Sequence, residues 1–296
     1  MTATPEVGFW TGSIAYSPAV GPAVTISLGA SDANGTQWVL NDFAGLDGVP
    51  TAGQVVQRAG DHGGYASPQF LAPRPITLTI TASAISQAQR DVARYALHQA
   101  IPVGSGGGSD LALFTFNEPV AKQCYVRGSG TAVTESCVST SEVEFTVGLI
   151  APDPRLYSAV QHSAVGTAGS RAAGLAPPWT PPITLPAGAP PASVSVTNSG
   201  NFETRPTVTI QGPITAPQVQ NVTTGQIVSY GALTLGAGDL LVLDFMNRVG
   251  TLNGVYRPAD VSSAWSVMPP GATTFQMLGT ASSGASMTVA WNDAWI

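Results

Sequence analysis

The sequence predicts a mainly β protein of two domains, each an antiparallel sandwich or barrel, with a single helix in the first. Three observations predict it. Short runs alternate apolar and polar residues, the period of half-buried strands: residues 77–80 (TLTI), 143–147 (VEFTV), 194–196 (VSV) and 208–210 (VTI). Gly 33 and Pro 24 punctuate the 296 residues at short intervals, which favours hairpin-linked sheets over parallel βαβ units. Between residues 158 and 191 the composition shifts to Ala, Gly and Pro, including the run PPWTPP at 177–182. Repeated prolines cannot join a central strand, so this interval is an extended connector. The expected domains are therefore residues 1–157 and 192–296.

Taken in order, the chain opens on MTATPEVGFW, and its first positive side chain is Arg58. Without a basic segment before an apolar one, no secretory leader is expected. The loop Asp61-His62-Gly63-Gly64 reads as a tight polar turn. One segment, SQAQRDVARYALHQAIP, reads as a helix: Ser86 is placed to cap it, Gln89 stands three residues on, and Pro102 stops it. Ile85, Ala88, Val92, Tyr95 and Ala96 fall close to one side, and this stripe is expected to pack on the first domain's sheet. The glycine-rich run 103–110 lacks the Gly-Lys-Ser/Thr of a phosphate loop and leads into the strand-like LALFTF, so it reads as a loop.

Cys124 and Cys137 flank Gly128-Ser129-Gly130. If that glycine pair turns a hairpin, the two cysteines sit on neighbouring strands. Free, partly buried thiols are expected, because the chain reads as cytosolic in synthesis. Beyond the connector, residues 239–258 (DLLVLDFMNRVGTLNGVYRP) join a buried strand to an Asn253-Gly254 turn of type I′. Leu241, Leu243 and Phe245 are expected to fill the core, and Asp244 and Arg248 to pair at the strand end.

Charge and motif content exclude several function classes. Only 9% of residues are charged, net −6, with one lysine. No basic stripe is present to neutralise phosphates, so sequence-specific nucleic-acid binding is not expected. The apolar runs fall far short of the ~20 residues of a membrane-spanning helix. Neither CxxC nor Cys/His spacing suggests a metal, and no cofactor motif occurs. Asp61 with His62 lacks a nucleophile motif. Glu142 and Glu144 share one face of a strand whose opposite face, Val143, Phe145 and Val147, is apolar, so the glutamates read as solvent-facing. No catalytic residue is assigned. Trp179, Trp265, Trp291 and Trp295 could form a sugar platform, although tryptophans in alternating strands mostly serve as core. A surface this poor in charge suits an assembly.

A resemblance adds to this. In the second half, Gly212-Pro213 with Pro217, residues 221–225 (NVTTG), Gly238-Asp239, Asp244, Arg248, Asn253-Gly254, Ser263, Trp265 and Pro270-Gly271 follow one another in an order and spacing that resemble the carboxy-terminal domain of distal tail proteins of long-tailed bacteriophages. In the first half, Trp38-Val39-Leu40, Asp61, residues 74–78, the helix and residues 151–157 (APDPRLY) look like the ring-forming belt domain of that family as seen in phages of actinobacteria. The resemblance implies a galectin-like jelly roll for the second domain and an actinobacterial host. It further implies a homo-hexameric ring between tail tube and tail tip, lining the DNA channel. The implied partners are the tail tube protein, the tip hub and the tape measure protein, with synthesis in the host cytoplasm and a final place in the virion. It implies no enzyme. The alternative reading is a lectin-like protein contacting host cell-wall glycan.

Overall fold

Ile76, Leu78, Ile80 and Ala82 take alternate positions of the strand Arg74–Ser83, and all four are fully buried while their neighbours are not. The same alternation repeats along Glu142–Ala151, where Val143, Phe145, Val147 and Leu149 point inward. In antiparallel register Phe145 lies opposite Ile80 and Leu149 opposite Ile76, so the two strands present one continuous apolar face. The computed structural model describes residues 10–18, 21–102, 110–169, 191–281 and 284–296. The chain divides into two units, one running to Ala159 and the other Val160–Trp295.

In the first unit the strands run in the order Val24–Leu28, Thr11–Tyr16, Ala112–Asn117, Ala121–Cys137, Glu142–Ala151, Arg74–Ser83, Gln37–Ala44 and Ala30–Ser31. All pairings are antiparallel. The strand Ala121–Cys137 is shared. Its first part pairs with Ala112–Asn117 and its later part with Glu142–Ala151, with a register break between Gly128 and Val133. The glycine pair is thus an irregularity in one long strand and not a hairpin, because the partner of the second part arrives from residues 142–151. Cys124 and Cys137 lie at opposite ends of that strand, and both are free. The Cys124 thiol is buried, and burial pushes its pKa up to about 12.

Ser86 caps the helix Gln87–Ala100, its hydroxyl accepting from the Gln89 amide at 3.3 Å. The packing face differs from the expected stripe. Ala93, Leu97 and Ala100 are the buried residues, against the strands Val24–Leu28 and Thr11–Tyr16. At ~100° per residue, Ala88, Val92 and Tyr95 then face the other way. Alanines let the helix approach the sheet closely, which larger side chains would prevent.

The second unit is a sandwich. One sheet runs His162–Thr167, Ser286–Trp291, Thr207–Gln211, Leu240–Asp244, Val249–Leu252 and Val255–Arg257. The other runs Ser193–Asn198, Gly271–Ala281, Ile214–Asn221 and Ile227–Ser229, with Thr234–Leu235 also on Ile214–Asn221. Residues 162–167, expected within the connector, form an edge strand of this unit, since Val165 and its neighbours pair with residues 286–291. Residues 170–190, with Trp179, lie outside the described residues, as do 103–109. The core joins Val208, Ile210, Leu241, Leu243, Phe245, Phe275, Met287 and Val289.

Asn253 and Gly254 both have positive φ, 50° and 82°, as a type I′ turn demands. The Asn253 amide donates to the Leu240 carbonyl at 2.9 Å, its side-chain oxygen accepts from the Leu240 amide at 2.9 Å, and its side-chain nitrogen donates to Asp239 at 2.9 Å. Asp239 is held below the usual carboxylate range by Asn253 and by the Gly236 amide. Asn253→Pro removes the amide donor and forbids the positive φ, so a loss of about 3 kcal/mol or more is expected. Calorimetry is expected to show the second unit's transition falling while the first unit's stays. Unchanged melting would refute this.

Candidate functional site

Chemistry finds little to work with. Asp61 and His62 lie at the tip of an exposed hairpin, where the Asp61 carboxylate accepts from the His62 backbone amide at 2.7 Å and not from its ring. Glu142 accepts from the Ser83 hydroxyl at 3.1 Å, and Glu144 is exposed beside it. His98 stands 4.0 Å from Glu135 on the helix, and His162 lies 3.4 Å from Asp293 in the second unit. Among the described residues no group of three His, Cys, Asp or Glu side chains could hold a metal. No described helix is long and apolar enough to cross a membrane.

Two of the four tryptophans considered for a sugar platform serve in packing. Trp291 is buried, its indole N–H donating to the Thr197 carbonyl at 3.0 Å. Trp265 packs edge-on against Phe245 with ring centroids 5.1 Å apart. The expected Asp244–Arg248 pair is absent too. Asp244 accepts instead from the backbone amides of Met246 and Asn247 and from the Asn247 side chain, which closes the turn. Arg248 adopts a left-handed φ of 57° and forms no ion pair among the described residues.

What the first unit does offer is uncovered apolar surface, in two main places. Between the strands Gln37–Ala44 and Arg74–Ser83 the chain leaves the sheet as a hairpin arm, residues 51–71. Thr51–Ala52 pairs with Phe70–Leu71 and Val55–Gln57 with Gly64–Ala66. Val55, Val56, Tyr65 and Phe70 are each 60% or more exposed, which leaves this ribbon without a core of its own. Isolated two-stranded hairpins are marginal in water. The Arg58 guanidinium sits 5.0 Å from the centre of the Tyr65 ring.

The arm is fixed at its root by Arg74, which is fully buried. Its Nε donates to the Pro154 carbonyl at 2.8 Å, and Nη1 reaches the carbonyls of Gly45 at 2.9 Å, Leu46 at 2.8 Å and Gly48 at 3.4 Å. One guanidinium thus clasps the outgoing root of the arm, its return strand and the loop before Leu156. Burial pulls the Arg74 pKa down, opposed by the nearby Asp47. Gly45 is needed here: its φ is +92°, and a Cβ would lie 2.0 Å from the Pro75 carbonyl oxygen. Sequence reasoning missed the arm: Val55-Val56-Gln57 and Gly64-Tyr65-Ala66 do not alternate apolar and polar residues, and the local signal was confined to the Asp61-His62-Gly63-Gly64 turn.

The second uncovered surface is the helix. Ile85, just before the cap, and Val92 and Tyr95 on the helix are more than half exposed. Beside them Arg94 pairs with Glu135 and Asp91, and Arg90 with Asp91 and the Ser139 carbonyl. The Arg94 hydrogen bonds hold the Glu135 carboxyl below its usual range, so the pair is ionised at neutral pH.

Comparison with known proteins shows relatives of this fold. Residues 199–295 match the family model described as the siphovirus-type tail component, C-terminal domain. No curated protein matches the chain. Among solved structures it is similar to the Dit (gp 19.1) protein of phage SPP1, described as a paradigm of the hub adsorption apparatus in phages infecting Gram-positive hosts. The TM-score is 0.60 at 16% identity, covering 88% of this chain and 94% of that one. It is also similar to a chain of the phage P2 baseplate in its activated conformation with Ca, at TM-score 0.54 and 10% identity, covering 95% and 97%. The corresponding baseplate with Sr gives TM-score 0.55 and 11% identity over 96% and 98%. At these identities the structures show a common fold.

Proposed function

We infer that this chain, a siphovirus-type tail component over residues 199–295, is a distal tail protein: a non-enzymatic virion part at the tail tip that joins the tail tube to the baseplate. In this reading six copies close into a ring around the channel through which DNA leaves, with the first unit forming the ring and the second carrying attachments. The observation that supports ring formation most is the arm, whose apolar side chains have no cover within their own unit. Closed rotational symmetry needs two different surfaces on each subunit. Low charge fits this, because burying hydroxyl and apolar groups between subunits avoids the cost of desolvating unpaired charges.

The proposed neighbours are the tail tube protein on one side and the tip hub on the other, with the tape measure protein passing between. No sequence-reading of DNA is needed from a wall that carries so few cations. Gold-labelled antibody against this chain is expected to mark the distal end of the tail in purified virions. Label along the tube, on the capsid, or absent from virions would overturn the reading.

A further inference from the structure

We propose that the exposed face of the helix Gln87–Ala100 is the seat for the arm of a second copy of this chain, so that Val56, Tyr65 and Phe70 of one subunit cover Ile85, Val92 and Tyr95 of the next. This rests on the ring reading above and names the two surfaces that make the ring. The arm and the helix both adjoin the strand Arg74–Ser83, but at opposite ends. The arm enters at Arg74, and the helix begins just after Ser83. Ten residues of strand hold the two ends ~30 Å apart. Within one subunit neither patch covers the other, since both remain exposed. A copy that offers its arm as one surface and its helix face as a different one makes a head-to-tail contact, the kind that rotation can close.

The areas agree with this pairing. Val56, Tyr65 and Phe70 of the arm expose on the order of 400 Å², and Ile85, Val92 and Tyr95 about as much, against about 800 Å² for one side of a standard interface. Backbone and polar flanks supply the rest. On the helix side electrostatics do not oppose it. Arg90, Asp91, Arg94 and Glu135 beside the helix face are already paired with one another, so covering them strands no single charge. In register, Val56 stands opposite Tyr65, which puts both on one side of the ribbon as a compact apolar pad.

The test is disulfide trapping in the full chain. Exposed Cys137 is replaced by serine, while buried Cys124 stays. Val56→Cys is then combined with Val92→Cys, and in a second variant Tyr65→Cys with Tyr95→Cys. Mild oxidation is expected to give a ladder of covalent oligomers ending at the closed ring, and neither single-cysteine variant is expected to pass the dimer. Independently, Tyr95→Glu is expected to raise the concentration at which half the chain assembles at least tenfold without changing the melting of either unit. Rings that form but give no ladder with either pair, and that tolerate Tyr95→Glu, would overturn the seat while leaving the ring intact. Cross-linking within a monomer, or a helix face that Tyr95→Glu disables only for binding tail tube protein, would also overturn it. A parent chain that never assembles would overturn the ring reading itself.

Discussion

Arg74→Met is expected to destabilise the first unit by about 3–5 kcal/mol. The side chain sits in a fully buried position and donates to four carbonyls, those of Gly45, Leu46, Gly48 and Pro154. Methionine fills much of the volume but returns no donors. The carbonyls are left in a dry site, at about 1–3 kcal/mol for each that finds no new partner. Water entering at the arm root offsets part of this, which keeps the sum near the lower end. Arg74→Lys is expected to fall between, because an ammonium can serve the carbonyls but cannot reproduce the planar fork. Denaturant unfolding of the full chain measures both. The second unit's transition serves as an internal reference, and a shift of less than 1 kcal/mol in the Met variant would contradict the clasp.

Replacing residues 51–71 by a two-residue turn is expected to abolish assembly while leaving the unit folded. The arm contributes almost nothing to its own unit's core: its four short strands pair only among themselves, as two separate ladders, and its large side chains stay exposed. Its loss thus removes a patch on the order of 400 Å² from one side of an interface that needs about 800 Å². The Arg74 contacts to residues 45, 46 and 48 lie outside the deletion. Circular dichroism and calorimetry check the fold, and sedimentation checks the assembly. A deleted chain that still forms the parent's oligomer would show that the ring is held elsewhere.

Features fixed by neighbours in sequence were the legible ones. The cap at Ser86, the stop before Pro102 and the Asn253-Gly254 turn each depend on a few adjacent residues, and each stands where expected. The alternation in Leu241, Leu243 and Phe245 likewise gave the buried face correctly. Features set by distant partners were not legible. The helix packs through Ala93, Leu97 and Ala100, and choosing that face requires knowing which strands lie beneath it. The glycines at 128 and 130 suggested a turn, yet the strand continues because residues 142–151 pair along it. Residues 162–167 read as connector by composition, but their partner strand lies more than a hundred residues later. Arg74 opened a strand in the sequence with no hint that it would be buried, since its carbonyl partners come from two separate loops.

Near the glutamates the alternation was legible: the pattern that buries Val143 and Phe145 turns Glu142 and Glu144 to the opposite face of the strand. The sequence did not single out the arm. Val55, Val56 and Tyr65 look like any other strand pair until the structure shows them standing away from the sheet. The exposed side of the helix was misread for a related reason, because large apolar residues at helical spacing suggest core whether or not a sheet lies beneath them.

Native mass spectrometry of the full chain across a concentration series, with negative-stain images of the largest species, tests the central claim most directly. The account predicts a species of six copies, closed and with a central opening, in equilibrium with few intermediates. A strict monomer at every concentration, or open chains of indefinite length, would contradict it.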